Sequence, residues 1–416
     1  MRDRMYIKTT EKSLSIKNEI GIQKTTKHTR WLFSILGMWF IISKDSTSFC
    51  ENILSVIIII FWQSILLFVI IPVLYYSLYH EKDIKIKIAL AGPTGVAVSC
   101  LLKYYATLYQ RNRIKQCIDI VKYNWSKICN RKDQEIMMKN TKKGATVTVL
   151  CATFMYVGGI THQIIVPFLP GTMLSELSNS TDRPLVYPVY HVLFNSQISP
   201  IYEFIYFSHI FLAVIVCTMF VGACNLGAVF ITHLCGQIEI LISKLNSLIG
   251  SENKKQNNKD LNKKMKMLIH LHNDTIDFTS NIEGILYEIC LIEMVASSII
   301  ICLDEYYVIV SWRNRSWIGL SIYIILLISF CGNVFIFCYI GELLKEKISQ
   351  IGTTVFMMDW HRLSRRNACA MILIIAMTQN SRKITAGGLL ELSFNGFTSV
   401  IKTSVGCLNI LRMIEF

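Results

Sequence analysis

Seven stretches long enough to cross a membrane constrain this chain more than any other feature of its sequence. Their approximate bounds are 53–78, 88–109, 144–169, 202–231, 282–310, 317–344 and 389–414. A helix needs roughly 20 residues to cross the hydrocarbon core of a bilayer. Hydrophobic residues make up 52% of the 416 residues and come in long blocks, which is not typical of a soluble domain. The sequence therefore predicts an all-α integral membrane protein with seven transmembrane helices.

The distribution of positive charge predicts how these helices are oriented. Of the 42 Lys and Arg residues, 33 fall in the N-terminal segment and in alternate connections between the spans. Because basic residues accumulate on the cytoplasmic side of membrane proteins, the N-terminus is predicted to be cytoplasmic and the C-terminus extracellular. A G-protein-coupled receptor has the reverse arrangement. The net charge of +14 follows from this topology and does not indicate nucleic-acid binding.

The spans divide the chain into four regions. In order, they are a cytoplasmic N-terminal segment, a block containing spans 1 to 6, a cytoplasmic anchor segment and a seventh span, at 1–52, 53–344, 345–388 and 389–416. Within the first region, residues 31–42 (WLFSILGMWFII) are apolar but too short to span a bilayer. They predict a helix lying at the membrane interface. The basic stretch 111–143 is predicted to be a loop.

The seventh span is predicted to line a pore because it has two unlike faces. Apolar residues recur at steps of three and four, at Phe394, Phe397, Val400, Ile401, Val405 and Leu408. Polar residues occupy the other face, at Ser393, Asn395, Ser399, Lys402, Thr403 and Asn409. Lipid would penalise this second face unless it meets protein or water. A last core helix whose hydroxyls bond to its own carbonyls is the alternative, and periodicity leaves both open.

Motifs for enzymes and for metal sites are not found in the sequence. The 14 cysteines include no Cys-x-x-Cys pair and no grouping with histidine at zinc spacing. The sequence also lacks a Gly-x-Ser-x-Gly elbow, a His-Glu-x-x-His motif and a Gly-rich phosphate loop. These observations predict no catalytic residues, no metal, no cofactor and no disulfide framework.

An acidic residue inside the fifth span, Glu293, leaves a transport function open. Ionisable residues within a membrane commonly mark the path of an ion or a proton, so an ion-coupled secondary transporter could use this carboxylate. Glu288 and Glu203 lie nearer the ends of their spans. They are predicted to bond to neighbouring helices or to sit at the interface.

A ligand pocket is predicted among the outer halves of the second, third, fourth and sixth spans. Aromatic, small and polar side chains together suit a small, mostly apolar ligand held by one or two hydrogen bonds. The candidate residues are Val96, Tyr156, Gly159, Gln163, Tyr206, His209 and Tyr323. Packing between helices explains each of them equally well when it is taken singly.

Three short motifs carry a resemblance to a known family. They are FTSVIKTS at 397–404, Leu-Gly-Met-Trp at 36–39 and Cys-Tyr-Ile-Gly at 338–341. In these motifs the chain resembles the insect odorant receptors, the seven-helix subunits of odour-gated cation channels. It departs from the family pattern at 405–408, where Val-Gly-Cys-Leu replaces Tyr-Ser-Tyr-Phe, and at Phe356, where a tyrosine is expected.

The resemblance implies partners and roles for particular residues. It implies a small volatile ligand in the outer pocket and a heterotetramer with the odorant receptor co-receptor in the plasma membrane of sensory dendrites. It implies a hydrophobic gate at Ile410, flanked by Asn409 and Ile414, and a subunit anchor that includes Tyr339, Trp360 and Phe397. A gustatory receptor is the nearer alternative function, and an ion-coupled transporter is the more distant one.

Overall fold

The computed structural model describes residues 2–43, 49–168, 183, 185–187, 196–249, 258–358, 364–379 and 383–415. Eleven helices account for nearly all of these residues. They are α1 (Arg2–Ile35), α2 (Trp39–Ser43), α3 (Phe49–Tyr75), α4 (Ile84–Tyr109), α5 (Arg111–Ser126), α6 (Arg131–Ile165), α7 (Ile201–Ile249), α8 (Asn258–Arg313), α9 (Trp317–Phe356), α10 (Arg365–Gln379) and α11 (Phe394–Glu415). A π-helical turn (Tyr76–His80) extends α3, and a 3₁₀ turn (Val166–Phe168) follows α6. Two short strands, β1 (Thr385–Ala386) and β2 (Leu390–Glu391), form an antiparallel pair.

Six of the described helices, α3, α4, α6, α7, α8 and α9, are long and apolar enough to cross a membrane. They contain the first six predicted spans. The last helix, α11, has 22 residues, which is enough to cross a bilayer, but it is less apolar because one of its faces is polar.

Two helices are much longer than a membrane is thick. The 49 residues of α7 and the 56 residues of α8, at about 1.5 Å each, give lengths of roughly 74 and 84 Å. Since the hydrocarbon core is about 30 Å thick, more than half of each helix extends beyond it. The two helices pack against each other and against α9, so the bundle continues outside the membrane as a helical domain.

The prediction of a loop at 111–143 is wrong, because this stretch is α5 and the start of α6. Its many basic residues led to the prediction of a loop, although its apolar residues follow an amphipathic helical pattern. The buried residues of α5 recur at helical spacing, at Ile114, Cys117, Ile118, Val121 and Trp125. Trp125 also donates a hydrogen bond of 3.2 Å from Nε1 to Thr25 Oγ1 of α1. The short helix α5 therefore ties the N-terminal helix to the bundle.

The N-terminal segment differs in extent from the predicted interfacial helix at 31–42. The helix α1 runs from Arg2 and ends at Ile35, and Gly37, with a φ of +74°, reverses the chain before α2. A side chain at this position would meet Ile58 and the Ser55 carbonyl of α3. Trp62 Nε1 donates to the Ile35 carbonyl at 2.9 Å, so the turn packs against protein.

The small-residue turn predicted before the last helix is present, between β1 and β2. Gly387 and Gly388 have φ values of +60° and +71°, a region that glycine adopts without steric cost. Gly387 N–H donates to the Tyr287 carbonyl of α8 at 3.0 Å. The last helix begins after this hairpin, at Phe394, and not at 389 as predicted.

A carboxylate between two lysines holds the hairpin to α9. Glu391 lies 3.0 Å from Lys345 Nζ of α9 and 2.8 Å from Lys383 Nζ. Partial burial acts to raise the pKa of this carboxyl, but the two ammonium groups outweigh it and leave the pKa of Glu391 below its usual value. The backbone hydrogen bond of Gly387 and the two ion pairs of Glu391 therefore fix the position at which α11 starts.

Candidate ligand pocket and pore helix

A cleft lies among α4, α6, α7, α8 and α9, at the end of the bundle where α4, α7 and α9 begin and α6 and α8 end. It contains about 980 Å³ of unfilled space, including the part that is open to solvent. Glycines let α6 approach its neighbours closely in this region, since Gly159 lies against Cys217 of α7 and Gly158 lies against Ser329 of α9. Spaces between the helices of a bundle are a common location for small-molecule sites in proteins.

Most of the residues that line the cleft are apolar or aromatic. By element, they are Ala89, Gly92, Pro93, Val96 and Ala97 of α4; Met155, Gly159, His162 and Gln163 of α6; Leu212, Ala213, Val216 and Cys217 of α7; Ile300, Leu303, Asp304 and Tyr307 of α8; Tyr323, Leu326, Ser329 and Phe330 of α9; and Tyr187 from the connection before α7. Such a surface holds a ligand mainly through shape and apolar contact, and the few polar groups can fix its orientation.

Four of the seven predicted ligand-binding residues, Val96, Gly159, Gln163 and Tyr323, line the cleft. The other three, Tyr156, Tyr206 and His209, do not line it. Tyr156 forms a hydrogen bond of 2.7 Å with Thr218, and the ring of Tyr206 stacks on Tyr202.

His209 is buried and does not line the cleft. Its ring packs edge-on against Tyr187, with the ring centroids 4.9 Å apart. Tyr187 lines the cleft, so His209 lies directly behind its wall.

An acidic residue of the cleft escaped the sequence analysis. Asp304 of α8 lines the cleft with only 7% of its surface exposed, and its Oδ2 has no hydrogen-bond partner among the described residues. The signal was present in the sequence, since Asp304 and Glu305 form an acidic pair inside an apolar span. Adjacent acidic residues within a membrane segment are rare and generally have a function.

The next residue along α8 faces a different neighbour. Glu305 Oε1 lies 3.4 Å from Ser404 Oγ of α11. One turn of α8 therefore presents one carboxyl group to the cleft and the next one to the last helix. This arrangement gives a direct physical connection between the wall of the cleft and α11.

Beneath the cleft, two fully buried charges pair with each other. Lys103 Nζ of α4 lies 2.6 Å from Glu293 Oε2 of α8, and both side chains have 0% exposure. Asn333 and Ser297 donate hydrogen bonds of 2.8 and 2.9 Å to Glu293 Oε1. The ammonium group also lies 3.0 Å from the centre of the Phe220 ring. Glu293, the residue that left a transport function open, is thus held in a structural network that joins α4, α8 and α9.

The last helix buries one face and exposes the other. Val400, Ser404 and Leu408 are buried against α8 and α9, with Phe397 and Ile401 partly buried. The predicted apolar face is therefore right for its central residues. It is wrong at Phe394 and Val405, which are 46% and 43% exposed.

The hydroxyls of the opposite face bond back to their own helix, as the core-helix alternative requires. Thr398, Ser399 and Thr403 each donate to the carbonyl four residues earlier. However, all three are exposed, so this face is not part of the core of the chain. Ser393, predicted on the polar face, is instead 3% exposed, because it precedes the helix and its Oγ accepts from Gly396 N–H.

Two of the predicted gate residues are exposed on this chain. The side chains of Asn409 and Ile410 point away from α8 and α9, and Ile410 is 61% exposed. Ile414 belongs to the last turn of α11. Among the described residues, no contact accounts for the large apolar side chain of Ile410 on this mainly polar face.

Aromatic rings cluster where α9 meets the start of α11. The ring of Phe335 stacks on Tyr339, at a centroid distance of 6.4 Å, and meets Phe397 edge-on at 5.6 Å. Phe335 and Tyr339 are 43% and 38% exposed. Two predicted anchor residues, Tyr339 and Phe397, thus lie in one partly exposed cluster. The third, Trp360, lies outside the described residues.

No group of three or more His, Cys, Asp or Glu side chains suited to a metal ion is found among the described residues.

Comparison with known proteins identifies the family. The family model for the seven-transmembrane odorant receptors matches residues 91–405, which include most of α4, the other four helices of the cleft and the first half of α11. The chain belongs to the odorant receptor family. Membership agrees with the prediction that the protein is a receptor and not an enzyme.

Individual odorant receptors match parts of the chain. Odorant receptor 13a of Drosophila melanogaster is 25% identical over 214 residues, which cover 49% of this chain and 50% of that receptor. Odorant receptor 10 of Aedes albopictus is 23% identical over 219 residues, or 52% of this chain and 56% of that receptor. The match therefore spans about half the length of these relatives.

The fold is shared over nearly the full length with a solved insect receptor. The olfactory receptor OR5 of Machilis hrabei, in complex with eugenol, superposes with a TM-score of 0.72 over 94% of this chain and 99% of that chain. The structure of the same receptor without that ligand superposes with a TM-score of 0.69 over 92% of this chain and 97% of that chain. Identity is only 10% and 11%, so this likeness concerns the fold. It confirms the predicted all-α seven-helix membrane architecture.

Proposed function

We propose that this receptor is the odour-binding subunit of a ligand-gated cation channel that detects small volatile molecules. The observation that carries this proposal is the connection from the cleft to α11. One turn of α8 supplies Asp304 to the cleft and Glu305 to Ser404 of the last helix. A ligand that shifts α8 changes the relative stability of two positions of α11, which is what a gating mechanism needs. The solved structure of Machilis hrabei OR5 with eugenol supports a small odorant as the type of ligand.

The cleft is proposed to face the exterior, with the N-terminus in the cytoplasm. The end of the bundle that holds the cleft carries the connections with few basic residues, such as the one between α8 and α9. The opposite end carries the basic segments of α1, α5 and the start of α6. By the positive-inside rule, this distribution supports a multi-pass protein of the plasma membrane that samples ligands from outside.

The second subunit is proposed to be the odorant receptor co-receptor. The exposed polar face of α11 and the aromatic cluster around Phe335 are surfaces that an isolated chain leaves uncovered. Residues 389–416 would then line the pore, and 345–388 with Tyr339, Trp360 and Phe397 would anchor the subunits. Ile410 would contribute to a hydrophobic constriction that closes by dewetting.

Whole-cell current is the test of this proposal. Cells expressing the receptor, the co-receptor or both are exposed to a panel of volatile compounds. We expect ligand-evoked current only with both subunits, and reversal near zero in symmetrical cation solutions. An ion-coupled transporter would instead give a flux that follows the gradient of its coupling ion. Surface-expressed pairs that respond to no compound would contradict the proposal.

A matched pair of variants ties the current to the cleft. Val96→Trp fills the space beside α4, so responses to the active compound should be lost at normal surface expression. Leu102→Trp places the same ring on the exposed side of α4, where Leu102 is 50% exposed, and should leave the response unchanged.

A further inference from the structure

Asp304 is the only carboxylic acid among the described residues that line the cleft. Its side chain is 93% buried, since its exposed fraction is 7%. It forms no ion pair with any described residue, and its Oδ2 has no hydrogen-bond partner there. A carboxylate in such an environment is unfavourable unless a cation or a donor pairs with it. The cleft therefore contains a buried acidic group that can pair with a positively charged ligand.

The buried lysine of the bundle, Lys103, does not pair with Asp304. Lys103 lies deeper in the bundle, and its ammonium group is 2.6 Å from Glu293. That carboxylate also accepts from Asn333 and Ser297, so Lys103 already has its own buried counter-charge. His162 lines the same cleft but forms no ion pair with Asp304. Among the described residues, none therefore supplies a positive charge to Asp304, which leaves this role open to a ligand.

Aromatic rings beside Asp304 suit the same kind of ligand. Tyr307 follows Asp304 by three residues on α8, so both side chains lie on one helix face. Its ring stacks on Tyr323 of α9, with the centroids 5.0 Å apart. Both tyrosines line the cleft. Aromatic faces next to a carboxylate stabilise an ammonium group, which they attract through the electron density of the ring.

We propose that the cleft recognises a small amine, with Asp304 as the counter-charge of its ammonium group and the apolar wall holding the rest of the molecule. This inference rests on the proposed function, in that it takes the cleft to be the ligand site. A hydroxyl ligand would donate one hydrogen bond to Asp304 but supply no charge, and a carbonyl ligand has no hydrogen to donate to a carboxylate. The amine supplies both, and its hydrocarbon part fits the surface formed by residues such as Val96 and Leu212.

The position of Asp304 also connects amine binding to α11. The neighbouring Glu305 lies 3.4 Å from Ser404 Oγ of that helix. An ammonium group drawn to Asp304 pulls on the turn of α8 that touches the last helix. Recognition and gating would then share a single helical turn.

The test measures the binding of matched probes to the purified full-length receptor. The readout is the shift that each probe causes in the thermal unfolding temperature. The probes are 2-phenylethylamine, 2-phenylethanol and ethylbenzene, which share a ring and differ in the polar group. We expect the amine to stabilise the receptor at a concentration on the order of tenfold to a hundredfold lower than the alcohol does, because a hydrogen bond to a charged partner is the stronger one. Asp304→Asn should remove this preference, and Asp304→Glu should keep part of it.

Glu305→Gln is the matched control, because it neutralises the adjacent carboxyl group that faces α11 instead of the cleft. It should leave the preference for the amine intact. Equal effects of amine and alcohol on the unchanged receptor would overturn the proposal, and so would an amine effect that survives in Asp304→Asn. Failure of all three probes to shift the unfolding temperature would also count against it. Since the measurement needs no current, it separates this inference from the channel function.

Discussion

At the scale of single residues, we expect a substitution in the pair of Lys103 and Glu293 to destabilise the fold strongly. Both groups are fully buried, and removing one partner leaves the other charge unpaired. Such a loss costs about 3–5 kcal/mol in folded proteins, so Lys103→Met should greatly lower surface expression and the unfolding temperature. Lys103→Met with Glu293→Gln should recover much of this loss, because the amide oxygen still accepts from Asn333.

The control for this prediction is an ion pair in solvent. Arg131 and Glu135 are paired at 3.1 Å, and their side chains are 81% and 65% exposed. Arg131→Met should change the unfolding temperature little, because exposed pairs contribute weakly. A double variant at the buried site that is no more stable than Lys103→Met would show that the charges do not stabilise each other.

Residues of the cleft could be predicted only in part, for a physical reason. Sequence gives the approximate depth of a side chain in a span, and depth was enough to select Val96 and Tyr323. It does not show which turn of a neighbouring helix or loop covers a residue. His209 lies at a suitable depth, but the loop residue Tyr187 comes between it and the cleft. Asp304 was missed because the fifth span was considered for ion transport and not for ligand contact.

At the scale of helices, α8 is the element that would join ligand binding to gating in the proposed function. Ser404→Ala removes the hydroxyl that faces Glu305, while the methyl group keeps the buried side of α11 filled. We expect a smaller maximal current at saturating ligand, with no change in the ligand concentration that stabilises the purified receptor. The first quantity reports on coupling to α11, and the second reports on the cleft alone.

Thr398→Ala is the matched control on the same helix. Its hydroxyl bonds only to the Phe394 carbonyl of its own helix, and its side chain is exposed. This variant should leave the maximal current unchanged. If Ser404→Ala and Thr398→Ala behave alike, the contact between α8 and α11 does not transmit the signal.

Helices were predicted from the sequence where hydrophobic pattern decides the structure. The first six spans were located because their apolar runs exceed what any other element needs. The helix α5 was missed, since five buried residues in 16 are diluted by basic ones. The start of α11 was placed too early because Leu389 and Leu390 are apolar, whereas the positive φ of Gly387 and Gly388 makes this segment a hairpin.

At the scale of the whole molecule, the exposed polar face of α11 supports the proposed assembly with other subunits. Ser399, Lys402, Thr403 and Asn409 cannot face lipid without a large cost. In a bundle of four subunits around an axis, this face would meet water in the pore. The buried face would keep its contacts with α8 and α9, so assembly would not require the subunit to refold.

The position of Ile410 on this face leads to the last prediction. Ile410 is 61% exposed and lies on the side of the helix that carries Ser399 and Thr403, so in an assembly it would point at the axis. A ring of large apolar side chains blocks ions because water leaves the constriction. Ile410→Ala should widen it and produce a standing cation current without ligand in cells that also express the co-receptor. Val405→Ala is the control, because Val405 is also exposed, at 43%, but lies about 140° away around the axis. If both variants leave the resting current at its original level, Ile410 does not form the gate.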